Sequence, residues 1–126
     1  MPEASIRQGP GRMLITVYGI FALAATSRSA VQLVTRFDRA PVAYLLSAFA
    51  AVVYVIATVT LAREARRVAF AACAVELAGV VSVGLVSLVV PEAFPDATVW
   101  SSFGIGYGFI PLVLPVLGLW WLKRTA

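Results

Sequence analysis

The sequence predicts an all-α, polytopic membrane protein, an antiparallel up-down bundle of four transmembrane helices. Three observations carry that reading. Of 126 residues, 61% are hydrophobic and only 13% charged, where a soluble domain spends about a quarter of its residues on charge. Mean hydropathy is +0.93, more apolar surface than so small a soluble core hides, since small domains bury only about 60–70% of their unfolded surface. Four apolar segments, at residues 13–36, 41–62, 68–90 and 102–122, reach or approach the ~20 residues a helix needs to cross ~30 Å of hydrocarbon. In lipid every backbone N–H and C=O must be paired within its own segment, so isolated strands are excluded. Residues 1–126 read as a single membrane domain with no internal repeat.

The first segment runs without charge from Met13 to Ser27 and continues as an amphipathic helix. Arg28, Gln32, Thr35 and Arg39 share one face, and Ala30, Leu33, Val34 and Phe37 the other. Arg7 and Arg12, the apolar stretch and Ala22-Leu23-Ala24 imitate a cleavable signal peptide; the segment is expected to remain as the first helix. After a link at 38–40, the second helix carries Ala43, Ser47 and Ala51 at a spacing of four. Beyond a link at 63–67, the third carries Ala74, Ala78 and Ser82, and the fourth carries Gly104 and Gly108. Small residues so spaced let membrane helices approach closely and are expected to be packing seams, either within the chain or between chains. Pro91 and Pro95 end regular structure in the 91–99 link. Pro111 and Pro115 free carbonyls one turn earlier, near Tyr107 and Pro111, so a kink or a locally unwound stretch is expected there in the fourth helix. Short links make consecutive helices antiparallel neighbours.

Charge placement sets the orientation. Arg7 and Arg12, then Arg63, Arg66 and Arg67, then Lys123 and Arg124 fall on one side of four crossings. The other side has Arg36 and Arg39, and a second loop with Glu92 and Asp96 and no base. The positive-inside rule puts both termini in the cytoplasm of a bacterial plasma membrane. Trp120 and Trp121 suit the inner interface, Trp100 and Tyr44 the outer one. This placement explains the pI of about 9.8 without nucleic acid as a partner. The expected partners are the lipid bilayer and either further copies of the chain or a larger membrane complex.

The inventory excludes much chemistry. With no histidine, zinc catalysis, ordinary haem ligation and His-based triads lose their usual residue. The single cysteine, Cys73, sits in an apolar run and reads as a packing residue. No cofactor and no metal are expected, and the chain is not expected to be an enzyme.

Two ionisable residues lie inside apolar segments, Arg28 and Glu76. An arginine there costs ~2.5–3.5 kcal/mol on insertion scales, so such residues are candidate functional groups. Arg28 stands ~22 Å along its helix, ~8 Å from the outer boundary. It either snorkels to the headgroups or forms an outward-facing polar pocket with Gln32, Ser101, Ser102 and Asp96; Tyr107 completes the candidate set. Glu76 is about 12 Å deep on a face carrying Ala69, Ala72, Cys73 and Gly79. It is expected to hydrogen-bond to a hydroxyl or carbonyl, or to serve a proton- or cation-coupled step. Crude depths separate it from Arg28 by roughly 10 Å. The Gly106-Tyr107-Gly108 triplet is similar to a potassium filter, but the Thr-Val lead-in is missing. No strand precedes these glycines and their spacing is not that of a dinucleotide site.

The segments Thr26-Ser27-Arg28-Ser29-Ala30-Val31-Gln32, Phe94-Pro95-Asp96-Ala97-Thr98-Val99-Trp100 and Gly106-Tyr107-Gly108-Phe109-Ile110-Pro111, in an Ala/Val/Arg-rich chain with one lysine, resemble small four-helix integral membrane proteins of high-GC actinobacteria. That resemblance implies a host and no activity. Small multidrug transporters place their essential carboxylate in the first helix, where this chain has none, and fluoride channels use an asparagine, which is absent here. The expected function is that of an accessory or scaffold subunit of a membrane complex; the alternative is a small-solute or ion transporter or channel using Glu76 and Arg28.

Overall fold

Prolines and arginines mark where the helices of this chain begin and end. A computed structural model describes residues 6–35, 37–93, 98 and 100–125. Among them are four α-helices, α1 (Pro10–Thr35), α2 (Pro41–Ala62), α3 (Arg66–Val89) and α4 (Ile110–Arg124), with 3₁₀ segments at Phe37–Arg39, Pro91–Ala93 and Ser101–Tyr107. Pro41 and Pro111 stand in the first turns of α2 and α4, where the missing N–H would have no helical partner anyway. Three helices, α1, α2 and α3, are long and apolar enough to cross a membrane. The expectations for Arg36, and for Asp96 within 94–97, lie outside the described residues.

The link between α2 and α3 is three residues, shorter than expected. It closes with paired bonds from Glu64 N–H to the Leu61 carbonyl (3.2 Å) and from Ala65 N–H to the Thr60 carbonyl (2.8 Å). This helix-ending motif usually places glycine in the left-handed position, yet Glu64 occupies it at φ 55°. Its side chain explains the choice. Oε1 accepts the Ile6 N–H at 2.8 Å, and Oε2 pairs with Arg7 Nε at 3.3 Å. The Ile6 carbonyl in turn accepts the Trp121 indole N–H at 2.9 Å, so a fully buried Ile6 latches the link to α4.

The fourth apolar segment is not one continuous helix, and its first part is locally unwound ahead of Pro111. Ser102, Phe103 and Gly104 adopt left-handed φ values of 50°, 61° and 83°, and Gly108 and Phe109 follow at 63° and 62°. Glycines at 104 and 108 make this backbone affordable, and Pro111, which cannot donate an N–H, opens a new helix instead of interrupting an old one. The remaining α4 is 15 residues, about 22 Å long. Gly104 and Gly108 therefore lie in the break rather than on a helix seam; a Cβ at Gly104 would stand 2.8 Å from the Pro111 ring.

The core runs along α1, α2 and α3, with Tyr18, Tyr54, Leu61, Cys73, Val80 and Trp100 fully or almost fully buried. α1 packs most extensively on α2, and α3 lies against α2, α4 and the Ser101–Tyr107 segment, whereas α1 and α4 touch sparsely. Ala43, Ser47 and Ala51 of α2 are buried. The small residues Ala74, Ala78 and Ser82 of α3 do not form a seam within the chain: Ala78 and Ser82 are exposed and Ala74 half-buried. Spacing alone cannot choose between faces, and here Gly79 decides, because a Cβ on it would stand 2.5 Å from the Trp100 ring. Trp100, Tyr44 and Trp121 are buried against other side chains, whereas Trp120 is half exposed.

Gly79→Ala is expected to lower the unfolding midpoint in detergent by an overpacking cost of about 1–3 kcal/mol. Gly19→Ala, whose Cβ would meet Thr58 at an ordinary 3.7 Å, should leave the midpoint unchanged or raise it; thermal melts of both variants check this.

Candidate functional site

A carboxyl inside an apolar bundle needs donors from its own chain. α3 carries Glu76 at 0% exposure, and α1 brings Tyr18 to it. The Tyr18 hydroxyl donates to Glu76 Oε1 at 2.6 Å and lies 3.4 Å from Cys73 Sγ. From α2, the Tyr54 hydroxyl accepts the Trp100 indole N–H at 3.1 Å and is near enough to Glu76 to interact with it electrostatically. Gly118 of α4 closes the enclosure, since a Cβ there would stand 2.8 Å from Cys73 Sγ. Two hydrogen-bonded groups, Tyr18 with Glu76 and Cys73, and Trp100 with Tyr54, thus adjoin in one polar cluster. Glu76 Oε2 has no hydrogen-bond partner among the described residues.

Arg28 belongs to a second, separate site. Its Nη1 donates to the Tyr107 hydroxyl at 2.6 Å on the exposed side of α1. Behind this pair lies a cavity of about 20 Å³ lined by Phe21, Ala25, Arg28, Ser29, Ser47 and Tyr107, among others, which is room for about one water. Ser29 Oγ, with its residue 5% exposed, lacks a partner among the described residues, as does Gln32 Oε1 of a residue 8% exposed.

The two sites meet through rings. Phe21 packs on Tyr54 and on Tyr107, each at 5.7 Å between centroids, and Tyr54 packs on Tyr18 at 6.2 Å. An apolar aromatic side chain therefore stands between the Glu76 cluster and the Arg28 pair. Of the residues expected around Arg28, the structure brings Tyr107 to it and places Gln32 a turn further along α1. Ser101 and Ser102 hold the loop: Ser101 Oγ accepts the Thr98 N–H at 2.8 Å, and the Ser102 N–H donates to Ser87 Oγ at 2.7 Å. Asp96 lies outside the described residues. Among the described residues there is no group of three or more His, Cys, Asp or Glu that could hold a metal ion.

Tyr18 and Tyr54 escaped the sequence reading. A signal existed, because a tyrosine hydroxyl in mid-span needs a partner as a carboxyl does. Tyr18 and Glu76 lie about 12 and 15 Å from the starts of α1 and α3, and thus at compatible depths. No family model, curated protein or solved structure matches the chain.

Tyr18→Phe removes the donor and leaves a buried carboxyl short of its partner. The expected loss is about 1–2 kcal/mol, between the ~0.6 kcal/mol average for membrane interhelical bonds and the ~1–3 kcal/mol for an orphaned buried group. Glu76→Gln keeps an acceptor for Tyr18 and should cost less. Unfolding of both variants and the double variant in detergent gives the coupling; additive losses would separate the two residues.

Proposed function

We propose that this chain is a multi-pass protein of a bacterial plasma membrane with both termini in the cytoplasm, and that it acts without catalysis as an accessory or scaffold subunit of a membrane complex. The membrane reading is supported by three spanning-length apolar helices and by large apolar side chains such as Leu23, Val34 and Val89, each at least 70% exposed, a surface suited to lipid and costly in water. In this reading the four helices run up and down as an antiparallel bundle. α4 and the segment before it together make the fourth crossing, bent at Pro111 and Pro115, and the resemblance to actinobacterial proteins supplies the host.

One observation carries the non-catalytic role. The residue best suited to chemistry or transport, Glu76, is fully enclosed and bound by Tyr18, so its work is to join α1 to α3. What is left to act is the surface, and the sparse contact between α1 and α4 leaves an apolar groove of about 300 Å³ lined by Met13, Val17, Val113, Leu117 and Trp120, among others. A transmembrane helix of the complex would pack there.

A second reading, a small-solute or ion transporter or channel using Glu76 and Arg28, is favoured by the buried oxygens of Glu76, Ser29 and Gln32 that have no hydrogen-bond partner among the described residues. Two measurements separate the readings. Purified from its native membrane in mild detergent, the chain is expected in an assembly of fixed stoichiometry that Val113→Trp or Leu117→Trp dissociates; a lone chain would overturn the scaffold role. In liposomes, ion and solute flux is expected to be the same for the native chain, Glu76→Gln and Arg28→Ala; a flux abolished by either variant would replace this reading with the second.

A further inference from the structure

At the basic end of the molecule, the first turn of α3 and the last turns of α4 enclose a groove of about 650 Å³. Arg66, Arg67 and Lys123 form its rim, and Phe70, Leu119 and Trp120 its wall. We infer that this groove binds an anionic phospholipid, with the phosphate between Arg67 and Lys123 and an acyl chain along the aromatic wall. The inference rests on the chain being a membrane protein, but not on the scaffold role or on which side the termini face.

The rim is built before any ligand arrives. Arg66 Nη1 donates to the Leu122 carbonyl at 3.3 Å and to Thr125 Oγ1 at 2.8 Å, and Thr125 is 2% exposed. These bonds fix the start of α3 against the end of α4 and set the width of the groove. Arg67 and Lys123 are then left exposed on opposite lips, while Arg124 lies over the Trp120 ring at 5.6 Å.

The charge arrangement calls for an anion. The first turn of α3 carries Arg66 and Arg67, has no acidic residue, and its N-cap Ala65 supplies no side-chain cap. Positive charge at the positive end of a helix dipole is unfavourable on its own, and an anion there is stabilising. The neighbouring acid, Glu64, is turned to Ile6 and Arg7. Below the cations, Phe70 and Trp120 are each about half exposed, at 52% and 49%. A free phosphate would leave that wall uncovered, whereas a phospholipid covers both parts. Basic pockets between helices at a membrane surface recognise anionic headgroups in this way.

The test counts lipids retained by the full-length protein. Native mass spectrometry in detergent, titrated with phosphatidylglycerol, phosphatidylcholine of the same chain length or inorganic phosphate, is expected to show phosphatidylglycerol bound preferentially. Arg67→Gln/Lys123→Gln should weaken it by about 25-fold, about fivefold for each removed cation. Arg12→Gln/Arg63→Gln, an equal charge change outside the groove, should leave affinity within about twofold, and Leu119→Trp, which keeps the cations and fills the wall, should weaken phosphatidylglycerol alone. Melting curves confirm that each variant is folded. Equal losses in the two double variants would mean diffuse surface charge and would overturn the site, as would equal binding of phosphatidylcholine, or competition by inorganic phosphate at lipid-like concentrations. Release of the chain from membranes by alkaline carbonate would instead overturn the membrane reading beneath it.

Discussion

A carboxyl group enclosed by apolar helices persists only where the chain supplies its own donors, and the hydrogen bond from Tyr18 to Glu76 is that supply here. It works across the interior rather than between neighbours, because α1 packs chiefly on α2 while Glu76 sits on α3. Much of the local sequence serves this reach. Ala69 and Ala72 keep the approach to α3 narrow, Cys73 offers a soft second contact to the same hydroxyl, and Gly118 allows α4 to close over the thiol. Helices in lipid lack a hydrophobic drive to associate, so a polar bond of this kind contributes specificity that apolar packing does not.

The membrane character and three of the helices were legible because they follow from quantities a sequence displays directly: unbroken apolar length, proline at the starts and arginine at the ends. Glu76 and Arg28 were legible for the same reason, as charges out of place. Their partners were legible only in part: a hydroxyl for Glu76 and Tyr107 in the set around Arg28 were expected, whereas Tyr18 was not. Whether Glu76 meets Tyr18, or Arg28 meets Tyr107, depends on helix rotation and register, which the apolar pattern of a membrane helix barely constrains when lipid and protein interior are both apolar. The same ambiguity hides which face of α3 packs within the chain: Ala74, Ala78 and Ser82 have seam spacing, but Trp100 folds back onto the face of Gly79 and makes that the buried side.

The fourth segment shows how backbone permissiveness competes with hydropathy. Residues 102–122 are apolar enough to read as one span, yet five residues between Ser102 and Phe109 adopt left-handed geometry. Glycine lowers the cost at two of them; at Ser102 and Phe103 the conformation is held by the Ser102–Ser87 bond and by the Phe103 ring lying against Gly84. A strained loop anchored on α3 delivers Trp100 and Tyr107 to two different places, one to Tyr54 and the other to Arg28. The break is therefore what lets one short stretch of chain serve both polar sites.

The Ile6 latch has a consequence for biogenesis. Its two bonds reach Glu64 and Trp121, so the amino-terminal stretch cannot be fully secured until α4, more than a hundred residues downstream, has left the ribosome. Until then Glu64 holds half of the joint and the indole of Trp121 is missing from it. The order of synthesis thus makes the Ile6–Trp121 bond one of the last tertiary contacts that can close.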